Sequence, residues 1–175
     1  MDEKRINLAE SNFRSYLQEG KIKKVAKINP LIYETYLRNS RESLTVANQL
    51  FQSRTSSLWV VVTSYYSMFY IACAYLYSLG YKSGENIVHQ VVNEVLIVHS
   101  RHKIKNHILE NYNEEKEKAL IIVDSYLENY EREKSKRATF QYETTENIKE
   151  SKAQTSLIRA KEFLTLMEEM LQNNL

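Results

Sequence analysis

The chain has 175 residues, 43% of them hydrophobic and 26% charged, enough apolar material for one domain, or one domain with a short extension. Its 24 basic and 22 acidic residues leave a formal net charge of +2. That balance excludes a dedicated DNA-coating protein, whose affinity comes from neutralised phosphates, but leaves room for a local basic patch. Three Gly and one Pro are too few for the turns of a sheet protein, so an all-α chain of long helices is expected.

A first short helix is expected over Ile6 to Gln18, with Leu8, Phe13, Tyr16 and Leu17 on its apolar side and Glu19-Gly20 ending it. No apolar segment follows the polar start Met1 to Arg5, so no signal peptide is expected. A basic stretch with Lys21, Lys23, Lys24 and Lys27 leads to Asn29-Pro30. That pair is a strong helix start, with Asn as N-cap and Pro at the first helical position. The second helix runs to about Gln52, with Leu37, Leu44, Ala47 and Phe51 on one face. Pro30 marks the one candidate boundary, dividing an N-terminal helical extension (1–29) from a helical bundle (30–175).

Between Arg54 and Lys82 there is no charged residue. Leu58, Val62, Tyr65, Phe69, Ala72, Leu76 and Leu79 form one stripe of a third helix, and Trp59, Tyr66, Tyr70, Cys73 and Tyr77 a second. Ser64, Ser67, Ala74 and Ser78 form a small-residue stripe. A helix apolar nearly all round belongs in a protein core or in a membrane. Its length permits a span, but Tyr, Ser and Thr are scattered through its middle rather than gathered at two interfacial belts. The bundle core is therefore the expected setting, no membrane is expected, and a membrane-embedded helical protein is the remote alternative. Tyr hydroxyls buried there need partners, and Ser64, Ser67 and Ser78 are the expected ones. The single cysteine, Cys73, fits a reducing cytoplasm as a small buried hydrophobe.

Gly80 closes this helix. The run from Ile87 to Val98 is rich in β-branched residues, yet with helices on both sides it is expected to be helical as well. Arg101 to Tyr112 reads as a polar connector with a helical turn, and Asn113-Glu114-Glu115 as the cap of a fifth helix lined by Ala119, Ile122, Val123, Tyr126 and Tyr130. Its end, Glu131 to Arg137, is densely charged. Thr144-Thr145-Glu146 is expected to start the last helix, buried through Leu157, Ala160, Leu164, Met167 and Leu171.

The run Ser64-Tyr65-Tyr66-Ser67-Met68-Phe69, followed by Ala72, Ala74, Leu76 and Gly80, resembles the tyrosine-rich helix of small prokaryotic HEPN proteins. Ser43-Leu44 with Ala47 resembles the preceding helix of that family. Arg137-Ala138-Thr139-Phe140-Gln141-Tyr142 resembles its R-x-x-A-D-Y segment, and Ala160-Lys161-Glu162-Phe163-Leu164 its last helix. The resemblance spans about Asn29 to Leu175. It implies an up-and-down bundle of four to five main helices, here with an extra N-terminal helix, usually a homodimer with its cleft at the dimer interface. It also implies an RNA-linked role in a toxin–antitoxin or defence system, often beside a nucleotidyltransferase-type antitoxin. Many members are metal-independent endoribonucleases built on an R-x(4–6)-H motif, and others are inactive.

For RNA cleavage through the 2′-hydroxyl, Arg supplies a fork of donors for phosphate oxygens and His moves a proton near neutral pH. The chain departs from that pattern: Tyr142, not His, follows Arg137, and Gln141 replaces the aspartate. Arg137 and Tyr142 are the catalytic candidates by resemblance, set against a solvated helix end. Arg101 and His107 fit R-x(5)-H literally, but in the connector, where about 600° of helical rotation would separate the two side chains. Arg101, Lys103 and Lys105, with Lys134 and Lys136, form the candidate RNA-backbone contacts. His89, His99, His102 and His107 lack the i, i+4 spacing and the Cys or acidic companions of a metal site, and read as exposed connector histidines. No metal and no cofactor are expected. The reading of function is thus an RNA-acting or RNA-binding HEPN-type protein, with a non-catalytic dimeric interaction module as the alternative.

Overall fold

The computed structural model describes residues 2–85, 87–135 and 149–173; within the fifth helix, side chains are described as far as residue 125. In chain order the elements are α1 (Glu3–Gln18), β1 (Ile22–Lys24), α2 (Pro30–Gln52), α3 (Ser57–Ser78), β2 (Tyr81–Ser83), α4 (Val88–Ser100), α5 (Asn106–Ser135) and α6 (Glu150–Gln172). The fold is an all-α helical bundle with one minor two-stranded ribbon.

Helix α3 is central, packing against α2, α4, α5 and α6. It is long and apolar enough to cross a membrane, yet 67% of its most apolar window is buried within the bundle. Tyr65, Met68, Ile71, Ala72, Ala74 and Tyr75 are fully enclosed, and Cys73 is buried as a free thiol. The stripe Trp59, Tyr66 and Tyr70 is the least covered: Tyr66 and Tyr70 are half-buried and Trp59 is 46% exposed.

Local chemistry starts and stops these helices as expected. Asn29 caps α2, its Oδ1 accepting from the Leu31 amide at 3.0 Å, with Pro at the first turn. Ser56 caps α3, accepting from the Trp59 amide at 3.3 Å. Gly80, at φ +82°, ends the turn after α3 in the left-handed conformation that glycine tolerates. The connection between α2 and α3 is short, which makes them neighbours, and the buried Ser40 Oγ donates to the Ser67 carbonyl at 2.8 Å.

The first helix shares the main core. Tyr16 and Ile22 belong to the same apolar cluster as α3, α4, α5 and α6 residues. Helix α1 lies on α4, where Arg5 makes a two-pronged pair with Glu94 at 2.7 and 2.9 Å. A second, smaller cluster joins Ala47, Val60, Val61, Val62, Ile122, Ala153 and Leu157.

Several expectations need correction. Residues 22–24 and 81–83 form an antiparallel ribbon, pairing Ile22 with Ser83, Lys23 with Lys82 and Lys24 with Tyr81; strands this short leave almost no periodic signal. Asn113-Glu114-Glu115 is not a cap, because α5 begins at Asn106. Buried Ile108, Leu109 and Tyr112 continue the same face as Ala119, so the connector shrinks to residues 101–105. The serines of α3 do not serve its tyrosines. Ser78 bonds its own helix through the Tyr75 carbonyl, and the Ser64 and Ser67 hydroxyls are buried without a side-chain partner. Tyr65 bonds His89, Tyr75 donates to the His99 carbonyl, and Tyr77 accepts from the Asn29 amide. The expected start of the last helix at Thr144-Thr145-Glu146 lies outside the described residues.

Among the described residues two non-glycine positions have positive φ, Arg54 at 53° between α2 and α3 and Ile87, and the β-branched Ile87 is the more strained. Ile87, at φ 49°, occupies the left-handed region immediately before α4 and provides no side-chain cap. A β-branched residue pays there through its Cβ, and Ile87 is 43% exposed, so little packing compensates. Ile87→Asn, which tolerates that conformation, is expected to raise stability by about 1 kcal/mol in urea unfolding.

Candidate functional site

The inward face of α5 carries two buried charged residues. Tyr112, Glu115, Lys116 and Ala119 follow helical spacing and all are buried. Glu115 is fully buried. It accepts from Ser156 Oγ at 2.5 Å, from Arg159 Nη1 at 2.8 Å and from Lys118 Nζ at 2.9 Å. Arg159 also reaches Glu114 at 2.7 Å. Both Glu115 oxygens are thus engaged, and the cluster locks α5 to α6 rather than offering a free carboxylate to a substrate.

On the other flank, Asn113 Oδ1 accepts from Lys116 Nζ at 3.1 Å and from Asn93 Nδ2 at 3.2 Å, joining α4 to α5. Close by, Tyr65 Oη and His89 Nδ1 share one proton across 2.7 Å. The His89 ring lies 4.4 Å from Phe69 and 5.9 Å from Tyr66, centre to centre. Burial and then the Lys116 charge hold the His89 imidazole below its ordinary pKa, keeping it neutral at pH 7. Burial also pushes the Tyr65 phenol far up, and the Tyr112 phenol likewise. The Tyr112 hydroxyl is buried on the Tyr65 side of the seam, the two rings 6.0 Å apart. A neutral imidazole against a protonated phenol can hold or relay a proton. The cavities lined by Phe51, Arg54 and Val60 and by Tyr36, Cys73 and Tyr81 include neither member of the pair.

The residues singled out from sequence are dispersed. Arg101 follows the last turn of α4 and pairs with Glu10 of α1 at 2.8 Å, also donating to the Val98 carbonyl. His107, in the first turn of α5, lies 3.6 Å from Glu162 of α6. No hydrogen bond joins Arg101 to His107, and each faces a different helix. Lys103 and Lys105 are exposed on the short connector. Lys134 lies in the last turns of α5, its side chain outside the described set, and Arg137, Tyr142 and Lys136 lie outside the described residues altogether.

The histidines differ from expectation: His102 and His107 are exposed, but His89 and His99 are half-buried on α4. The His99 ring packs on Phe13 and Tyr81 at 5.1 and 5.3 Å. Among the described residues no group of three His, Cys, Asp or Glu could hold a metal ion.

No family model, curated protein or solved structure matches the chain. None of the three comparisons bears on the resemblance to HEPN proteins.

Sequence reasoning missed Asn93, Tyr112, Glu115 and Lys116. Their signal was present as the spacing of residues 108, 109, 112, 115, 116 and 119, but the polar residues from Asn106 to Glu115 masked it as loop.

Arg159→Ala leaves buried Glu115 with only Lys118 and Ser156 as partners and is expected to cost about 2 kcal/mol in chemical denaturation. Arg41→Ala, which breaks the exposed pair with Glu168, should cost under about 0.5 kcal/mol. His89 is held neutral in the fold, so the unfolded chain binds the extra proton first as pH falls below the ordinary imidazole value of 6.5. Stability should be fully present above that value and decline below it, and His89→Gln should flatten the decline in thermal unfolding followed from pH 7.5 to 5.

Proposed function

We propose that the chain is a HEPN-type, dimeric, cytoplasmic module that binds RNA as part of a toxin–antitoxin or defence complex, acting by binding rather than by cutting. Its nucleotidyltransferase-type partner and its homodimeric state follow from the resemblance carried by Ser64 to Phe69. The observation that favours binding over cleavage is the separate engagement of Arg101 with Glu10 and of His107 with Glu162. The one literal R-x(5)-H match in the chain is thereby spent on two different helix contacts. The buried free thiol of Cys73 agrees with a reducing compartment.

Metal-independent RNA cleavage at Arg137 and Tyr142 is the competing reading, favoured by the arginine that stands where the family's motif begins. The test is incubation of a mixed RNA pool with purified wild-type and Arg137→Ala protein in the presence of a chelator, with light scattering on the same samples. The expected result is a dimer that leaves the RNA intact in both cases. Cleavage by the wild type that disappears in Arg137→Ala would replace the binding reading with an endoribonuclease.

A further inference from the structure

The β1–β2 ribbon carries an arrangement with no use inside the fold. Its inner side holds Ile22, 2% exposed, and Tyr81, whose ring sits edge-on to Phe13 at 5.5 Å. Strand alternation then turns Lys23 and Lys82 to solvent, and the register makes them direct cross-strand partners. Residues so paired have Cα atoms only about 5 Å apart. Like charges directly opposite each other destabilise a strand pair. Lys24, which the register places opposite Tyr81, and Lys27 are exposed as well. None of these four lysines has an ion-pair or hydrogen-bond partner among the described residues, whereas neighbouring Lys21 is neutralised by Glu19 and rests over the Tyr16 ring.

We infer that this ribbon is the surface on which the phosphate backbone of RNA docks, without regard to base sequence. The inference rests on the RNA-binding reading above and replaces the connector as its principal contact. A linear polyanion laid along the outer face of the ribbon relieves the Lys23–Lys82 repulsion. Lysines supply point charges rather than the planar fork that reads a base edge, so the contact carries no sequence information. A protein interface centres on an apolar core, and a surface that inserts into a bilayer needs exposed apolar side chains. None of the exposed large hydrophobic residues (Leu8, Leu31, Val46, Trp59, Ile87, Ile121, Ile158) lies in residues 21–27 or 81–83.

The test is fluorescence anisotropy of the full chain with an end-labelled single-stranded RNA of mixed sequence, over a salt series. Lys23→Gln with Lys82→Gln should weaken binding about tenfold and reduce the slope of log affinity against log salt by roughly 1.4, the value for two lost single-strand phosphate contacts. Lys23→Glu should form a pair with Lys82, so thermal stability should rise while affinity falls; a variant that merely unfolds would lower both. If the wild type binds and the double variant binds equally, the ribbon is not the surface, though the RNA reading stands. If the wild type binds no RNA, both fall. Binding to anionic phosphatidylserine vesicles in preference to RNA would overturn the inference in favour of a membrane.

Discussion

The absence of charge from Thr55 to Tyr81 is the constraint on which the rest of the fold depends. A helix apolar on nearly every side must be surrounded, and α3 contacts four of the other five described helices. The bulk of its burial is supplied by large side chains: Tyr65, Tyr75, Met68, Ile71 and Leu76 are all essentially enclosed. Filling a core with tyrosine brings hydroxyls inside, and each must be answered. The partners come from outside the helix, from His89, the His99 carbonyl and the Asn29 amide. Helix α4 and the start of α2 are therefore positioned by polar contacts to the central helix as well as by apolar packing.

The second organising feature is the polar seam of α5. A buried carboxylate and a buried ammonium group occupy adjacent positions, Glu115 and Lys116, and are satisfied in opposite directions. Glu115 looks toward α6 and Lys116 toward Asn113 and α4. Such groups add little net stability compared with apolar replacements, but they penalise any rotation of α5 that would leave either one unpaired. The seam fixes the rotation of a helix whose apolar pattern is weak.

The legible part of the sequence was what depends on strong local signals. The Asn29-Pro30 start, the Gly20 and Gly80 stops and the uncharged run of α3 each have a direct physical meaning, and each holds in the structure. The start of α5 was hidden because its buried face is partly polar, and periodicity counts Asn, Glu and Lys as surface. The ribbon was hidden because three-residue strands owe their existence to the meeting of the segments that follow α1 and α3, a tertiary event. Of the candidate site, the residues themselves could be named, but not their partners. Arg101 is set by Glu10, some ninety residues away in the chain, and no spacing rule reaches that far. Arg137 and Tyr142 lie outside the described residues.

The ribbon has a topological effect distinct from its charge. By pairing residues 22–24 with residues 81–83, it closes a loop of about 60 residues that contains all of α2 and α3, at an entropic cost that grows only logarithmically with length. The α2–α3 pair is then cinched at one end by its own short turn and at the other by the ribbon, while α4, α5 and α6 are threaded through neither closure. That division ties α2 and α3 to each other at both ends by the chain itself, while α4, α5 and α6 are held against them by side-chain contacts.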